Sequence, residues 1–227
     1  SIMPLPPQPD ERLGFITDST SIKQCTDCAS QSLPAVDALE NAILQLYGPQ
    51  SGNQIENFRM SSYSFQNLEA LLDTPDGNQL MYEAMDVADW IVISLTDASQ
   101  GQPALISRFL RERPSLLRDK YVILFAFGAP NYFDTTTISK FTAYYALYSK
   151  QPQFIDVAAR LLFQELTSIG ASPISISAVG YDLISVMAPD AAQIIPLFLD
   201  LAPVLVPPGS SLTPEPTPIP LFRIGDT

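Results

Sequence analysis

The chain has 227 residues, of which 24 are acidic and 12 basic, so it carries a formal net charge of −12. This acidic excess argues against nucleic acid and anionic membrane surfaces as partners, because both are bound through patches of Lys and Arg. Hydrophobic residues make up 46% of the sequence and histidine is absent. The apolar content allows a core without metal or disulfide. The lack of histidine excludes Ser-His-Asp and Cys-His catalysis and histidine-bound metals.

The two ends of the chain differ in composition from the middle. Four prolines lie within residues 1–10, which we predict to be a linker from a missing N-terminal domain. Residues 207–221 form a second proline-rich linker, and residues 222–227 are interpreted as the start of a truncated further domain. Between them, residues 11–206 are predicted to form one α/β domain. We therefore expect a fragment of a longer protein, and the sequence shows no signal peptide or membrane span.

The chain contains two cysteines, Cys25 and Cys28. A zinc site needs about four ligands, and no second pair exists. A thioredoxin-like redox pair would open a helix directly after a strand, whereas these residues fall in a polar loop. We favour a small structural disulfide or two inert thiols, and a disulfide would indicate an oxidising compartment.

The first quarter of the chain predicts a strand, a helix and a weaker strand. Residues 13–17 are a short β-like run, followed by a long polar loop. Pro34 is placed in the first turn of a helix. The buried face of this helix is predicted to consist of Val36, Leu39, Ile43 and Leu46. Residues 54–60 predict the second strand.

Two helices and a strand are predicted next. The apolar face of the first helix consists of Phe65, Leu68, Leu71 and Leu72. The apolar face of the second consists of Leu80, Ala84, Val87 and Ala88. Residues 90–95, of which five are apolar, predict the next strand.

The remaining elements complete an alternating pattern. Gln102 and Pro103 open a helix, residues 121–127 predict the central strand, and the tyrosine-rich run 141–148 follows as another strand. Gln151 and Pro152 open a further helix, and residues 173–178 alternate like an edge strand. Basic residues around the first of these helices are interpreted as a solvated face: Arg108, Arg111, Arg113, Arg118 and Lys120. The pattern predicts an open, mostly parallel sheet with helices on both faces, a flavodoxin-like α/β sandwich.

Three aspartates fall where strands are expected to end: Asp18, Asp97 and Asp134. In an open α/β sheet the ligand crevice lies beyond the carboxyl ends of the strands, so these residues are candidates for a cleft. Two carboxylates there could act as acid and base. Aspartate is also common as a helix N-cap and in turns, and we favour that structural role for each.

Two binding alternatives arise at the same end of the sheet. Residues 17–21 could cradle the phosphate of FMN as in flavodoxins, although the loop lacks a glycine and does not lead at once into a helix. Tyr144, Tyr145 and Tyr148 could form a sugar-stacking face. Strand alternation puts Tyr145 opposite to the other two, so at least one of them is expected in the core. We predict no cofactor and no metal site.

Two stretches, residues 122–133 and 143–166, resemble the C-terminal α/β sandwich domain of glycoside hydrolase family 3. In its β-N-acetylglucosaminidase branch, a strand ending in a proline turn precedes an Ala-Tyr-rich strand. A helix of the Ala-Ala-Arg-x-Leu-Phe type and a Pro-Val-Ser-Ile-like strand follow. The counterparts here are Pro130, residues 143–148, Ala158-Ala159-Arg160 and residues 173–177. The resemblance extends over about residues 11–180.

The resemblance implies a non-catalytic accessory domain that packs on a missing TIM-barrel domain of the same chain. That barrel would hydrolyse β-linked N-acetylglucosaminides or related glycosides, in a secreted or cell-surface bacterial enzyme. Its catalytic aspartate and His/Asp pair belong to the barrel, so no catalytic residue can be assigned here. The implied partners are the barrel and carbohydrate, with neither nucleic acid nor membrane contact by this fragment. The alternative is a stand-alone flavodoxin-like module that binds FMN or sugar.

Overall fold

The computed structural model describes residues 5–22, 31–74, 77–96 and 101–168. Four features predicted from the sequence lie outside the described residues: Cys25, Cys28, Asp97 and the strand at 173–178. The proposed linker at 207–221 and the segment 222–227 lie outside them as well.

Five of the described strands form one parallel sheet. The strands, in chain order, are β1 (Leu13–Thr17), β2 (Thr20–Ile22), β3 (Gln31–Leu33), β4 (Met60–Ser64), β5 (Trp90–Leu95), β6 (Tyr121–Ala126) and β7 (Ala143–Ala146). The sheet order is β4-β1-β5-β6-β7, and all four neighbouring pairs are parallel. Strands β2 and β3 form a separate antiparallel pair. The strand order is that of flavodoxin-like folds, which confirms the predicted open α/β sandwich.

Helices cover both faces of the sheet. They are α1 (Ala38–Tyr47), α2 (Phe65–Asp73), α3 (Gln79–Val87), α4 (Gln102–Glu112), α5 (Thr135–Ile138) and α6 (Gln153–Leu162), with 3-10 turns at Asn57–Arg59 and Pro114–Leu117. Helices α1 and α6 pack on one face and share a core with alternate residues of the strands. Helices α2, α3 and α4 form the second core on the other face. Successive residues of a strand therefore enter opposite cores.

The three inner strands are mostly apolar because both of their faces are covered, with Thr17 in β1 and Ser94 in β5 as buried polar residues. All residues of β1 and β5 are buried, as are all but the first of β6. The edge strands β4 and β7 are buried at one end and half-buried elsewhere. Continuous apolar runs therefore mark the interior of the sheet, as expected for parallel strands. The centre of the sheet is β5, however, and the run at 121–127 forms its neighbour β6.

Three further sequence predictions were wrong near the edges of the sheet. The second strand, β4, begins at the last of the predicted residues 54–60, and Ile55 lies in the preceding loop with its side chain buried in the core. The polar stretch after β1 contains β2 and β3. A short helix, α5, lies between β6 and β7, where a turn and a short polar segment without a helix were expected. All of these segments are rich in Ser, Thr or Asn, so they lack the apolar periodicity that indicates a regular element.

Two helix predictions also need correction. Helix α1 begins at Ala38, so Pro34 lies before the helix and outside its first turn. Helix α3 lies where it was expected, but its buried side chains are Met81 and Met85. Leu80 and Val87, which were placed on the apolar face, are exposed. The sequence of α3 allows two different apolar faces, which differ by a rotation about the helix axis. The sequence alone does not decide which face is buried.

Three of the basic residues near α4 donate hydrogen bonds to carbonyl groups at the C-termini of helices. Arg108 and Arg113 donate to the Leu72 and Leu71 carbonyls at the end of α2, at 3.1 and 2.9 Å. Lys120 donates to the Met85 carbonyl at the end of α3, at 2.5 Å. Burial lowers the pKa of the Lys120 ammonium, although nearby acidic groups oppose this shift. Cations at helix C-termini satisfy carbonyls that have no partner within the helix. Arg108, Arg113 and Lys120 are thus structural, whereas Arg111 and Arg118 are exposed, as predicted for a solvated face.

The rotation of α3 gives a direct test of the fold. Met81 is 0% exposed and its neighbour Leu80 is 75% exposed. We expect Met81→Ala to lower the free energy of unfolding by about 2–5 kcal/mol, because it leaves a cavity in the core. Leu80→Ala is the matched control and should change it by less than about 0.5 kcal/mol. Urea denaturation of both variants measures the difference, and a larger loss for Leu80→Ala would contradict the observed rotation.

Candidate functional site

The strand order places a topological switch point at β1. Strands β4 and β5 lie on opposite sides of β1, so the chain leaves β1 for one side and later returns to the other. In open α/β sheets this is where a crevice forms beyond the carboxyl ends of the strands. The residues found there are Thr17, Asp18, Ser94 and Thr96, all of them buried.

Asp18 connects the ends of β1 and β5. Its side chain is 3% exposed, and its Oδ2 atom accepts hydrogen bonds from the Thr96 amide at 3.0 Å and the Thr96 hydroxyl at 2.8 Å. The Asp18 amide donates to the Ser94 carbonyl at 2.9 Å. A buried carboxylate is stable only when such donors surround it. Asp18 therefore holds two strand ends together, which is the structural role favoured by the sequence.

A small pocket lies beside these strand ends. Its lining consists of Thr17, Pro34, Ala38, Leu39, Ser94, Phe127 and Ile155. The cavity has a volume of about 10 Å³, which is room for about one water molecule. The Thr17 hydroxyl is buried there without a hydrogen-bond partner in the described part of the chain. The pocket is too small for a flavin or a sugar ring.

The switch point also lacks the usual arrangement for a phosphate. After β1 the chain enters β2, and the first helix among the described residues begins at Ala38. Phosphate sites of flavodoxin-like folds depend on backbone amides at the start of a helix that follows the strand. The buried Asp18 carboxylate would in addition repel a phosphate. This geometry disfavours FMN at residues 17–21.

Asp134 has a different and more exposed structural role. It is the N-cap of α5, and its Oδ1 atom accepts a hydrogen bond from the Thr137 amide at 2.7 Å. Hydrogen bonds from Thr137 hold the pKa of the Asp134 carboxyl below its ordinary value. This confirms the N-cap prediction. Asp18 and Asp134 follow β1 and β6, with β5 between those strands. Asp18 is bonded to Thr96 beyond the end of β5, whereas Asp134 is held within its own turn.

The tyrosines of β7 point to opposite faces of the sheet, as predicted for Tyr145. Tyr145 stacks on Phe125 at a centroid distance of 5.5 Å and contacts the core under α1 and α6. Tyr144 lies on the other face, with its ring 6.0 Å from both Phe133 and Phe141. Sequence reasoning missed Phe133 and Phe141. The density of aromatic residues after β6 was the available signal for them.

The hydroxyl of Tyr144 is buried and has no hydrogen-bond partner among the described residues. Burial raises the pKa of this phenol well above its ordinary value, and the nearby Tyr132 and Tyr148 phenols add to the effect. Tyr148 itself is 43% exposed. We call Tyr132, Phe133, Phe141, Tyr144 and Tyr148 the β7 aromatic cluster.

Comparisons with known proteins do not identify the chain. No protein-family model matches it, and neither does any curated protein. Among the described residues, no three His, Cys, Asp or Glu side chains are grouped in a way that could hold a metal ion. None of the described helices is long and apolar enough to cross a membrane.

Replacement of the two aspartates should separate their roles. Asp18→Ala leaves the buried Thr96 amide without its acceptor, and we expect a loss of about 2–3 kcal/mol in the free energy of unfolding. Asp134→Ala removes the cap of one exposed helical turn and should cost about 0.5–1 kcal/mol. Urea denaturation measures both values. Equal losses would show that Asp18 does not hold the strand ends together.

The raised pKa of Tyr144 predicts a loss of stability in alkali. Between the unfolded value of 10.0 and the higher folded value, the unfolded phenol loses its proton while the folded one keeps it. Stability is then fully present below pH 10.0 and falls as the pH rises above it. Tyr144→Phe should reduce this slope by up to about 1.4 kcal/mol per pH unit. Urea denaturation from pH 9 upwards tests this, and an unchanged slope would contradict it.

Proposed function

We propose that this chain is a non-catalytic accessory domain of an extracytoplasmic bacterial enzyme of glycoside hydrolase family 3. Its partner would be a TIM-barrel domain that hydrolyses β-linked N-acetylglucosaminides or related glycosides. The observation that carries the proposal is the order of β6, a proline turn, β7 and α6. The elements follow the order of the motifs that resemble the β-N-acetylglucosaminidase branch.

The Ala-Ala-Arg motif of α6 has a structural use that suits an accessory domain. Ala158 and Ala159 are fully buried in the core shared with α1, where small side chains let the two helices approach. Arg160 forms an ion pair with Glu165, and Glu165 accepts a hydrogen bond from the Tyr47 hydroxyl of α1 at 2.6 Å. The motif therefore fixes α6 to α1, which supports a packing role for these residues.

The chemistry of the candidate residues also favours a non-catalytic role. The chain contains no histidine. Asp18 is buried against Thr96, and Asp134 caps α5. Neither carboxylate faces the other across a cleft, as the acid and the second carboxylate of a glycosidase must. The alternative FMN module is disfavoured by the entry of the chain into β2 directly after β1.

The coding sequence upstream of Ser1 provides the sharpest test. We expect it to continue in frame into a TIM-barrel domain with a Lys-His-Phe-Pro-Gly-His-like segment. The complete protein should hydrolyse an aryl N-acetyl-β-glucosaminide, whereas the purified 227-residue chain should release no product above the uncatalysed rate. An unrelated upstream domain, or turnover by the chain alone, would overturn the proposal. A flavin absorption band in the purified chain would favour the alternative instead.

A further inference from the structure

Helix α3 carries a second apolar face that does not enter the core. Its first apolar face, which contains Met81 and Met85, is buried. The second consists of Leu80, Ala84 and Val87, and their spacing of four and three residues places them on one side of the helix. Leu80 is 75% exposed and Val87 is 54% exposed. We call these three residues the outer stripe of α3.

Such exposure is rare for aliphatic side chains in this domain. Among the described residues, three large aliphatic side chains are more than half exposed, and two of them belong to the outer stripe. The third is Leu5, which is 78% exposed and lies before β1. Single exposed apolar residues are ordinary, but apolar residues at positions i, i+4 and i+7 are the pattern by which one helix packs on another element. The stripe therefore indicates a contact surface.

Carboxylates border the outer stripe on its solvent side. Glu83 lies three residues after Leu80 and four before Val87, so it neighbours both on the helix surface. Its carboxylate accepts a hydrogen bond from the uncharged amide of Gln79 at 2.8 Å. The helix contains one further acidic residue, Asp86, which is exposed, and no basic residue. The surface thus combines apolar side chains with negative charge.

This negative charge selects the class of partner. In a symmetric contact with a second copy of the chain, Glu83 would lie against acidic side chains of the same helix, where like charges repel. Residues 169–227 contain a single basic residue, Arg223. Lys120 bonds to the Asp86 carbonyl at the C-terminal end of α3, so its charge serves the helix end. Complementary cations therefore have to come from a different protein.

We propose that the outer stripe of α3 binds a basic amphipathic helix of a partner protein. Apolar residues of that helix would pack on Leu80 and Val87, and its Lys or Arg side chains would lie beside Glu83 and Asp86. Helices recognise one another through apolar residues at this spacing, and charges at the border set the choice of partner. The surface lies outside the two stretches that resemble glycoside hydrolase family 3, so it stands independently of the proposed function.

The test titrates the complete chain into a fluorescently labelled synthetic helix of about 18 residues, which is five turns. This basic peptide carries leucine along one stripe and lysine on both borders of that stripe. The same peptide with glutamate in place of lysine is the acidic probe. We expect saturable binding of the basic peptide by fluorescence anisotropy, and affinity at least about tenfold lower for the acidic peptide. Equal affinities for the two peptides would overturn the inference.

Two pairs of variants locate the binding on α3. Leu80→Ala should weaken binding of the basic peptide by about fivefold or more, whereas Leu5→Ala truncates a similarly exposed leucine elsewhere and should leave it unchanged. Glu83→Gln should weaken binding several-fold, because it removes a charge at constant shape. Its matched control is Asp156→Asn on α6, which covers the other face of the sheet. Equal effects within either pair, or no saturable binding by the wild type, would overturn the inference.

Sedimentation equilibrium distinguishes a partner helix from self-association. We expect the wild-type chain to be monomeric at the concentrations of the titration. A dimer that Leu80→Ala dissociates would overturn the inference, because a second copy would then cover the stripe. The substituted side chains lie on the surface, so the variants should keep the wild-type far-UV circular dichroism. The coding sequence upstream of Ser1 does not enter this test, so this surface and the proposed function can fail separately.

Discussion

The fold depends on the burial of three adjacent parallel strands on both faces. Strands β1, β5 and β6 satisfy their backbone groups by pairing with neighbours, but their side chains need cover above and below. Two cores result, one under α1 and α6 and one under α2, α3 and α4. The right-handed connections of parallel strands leave little choice in where these helices lie. The half-buried strands β4 and β7 then close the edges, where full burial is not required.

The same arrangement explains the distribution of charge. Helices that cover a parallel sheet run antiparallel to it, so their carbonyl ends gather near the amino ends of the strands. Lys120 contacts the ends of α3 there, through the carbonyls of Met85 and Asp86. Arg108 likewise joins the end of α2 to α4 and pairs with Asp73 at 2.5 Å. Arg108 and Lys120 are thus engaged within the fold, whereas Arg111 is 70% exposed.

The sequence predicted the parts of the fold that follow from local pattern. The apolar runs of β1, β5 and β6 and the periodicity of α2 and α4 were sufficient for their position and type. Strand β4 could not be found in this way, since its polar residues are ordered by pairing with β1 and Ser64 also caps α2. The rotation of α3 likewise depends on a distant residue. Gly14 leaves room for Met85, because a Cβ atom there would lie 2.5 Å from the Met85 methyl group.

The candidate site shows the same limit of sequence reasoning. The position of Asp18 after a strand was predictable, but its partner Thr96 lies 78 residues away. That contact engages the carboxylate at the switch point, and the pocket beside it is small. Buried hydroxyls without a partner among the described residues occur at both places, on Thr17 at the switch point and on Tyr144 at the β7 edge. A buried hydroxyl without a partner loses its hydrogen bonds to water on folding, so each of the two lowers the free energy of unfolding. Neither cost can be predicted from the sequence, because burial and partners are both set by the tertiary packing.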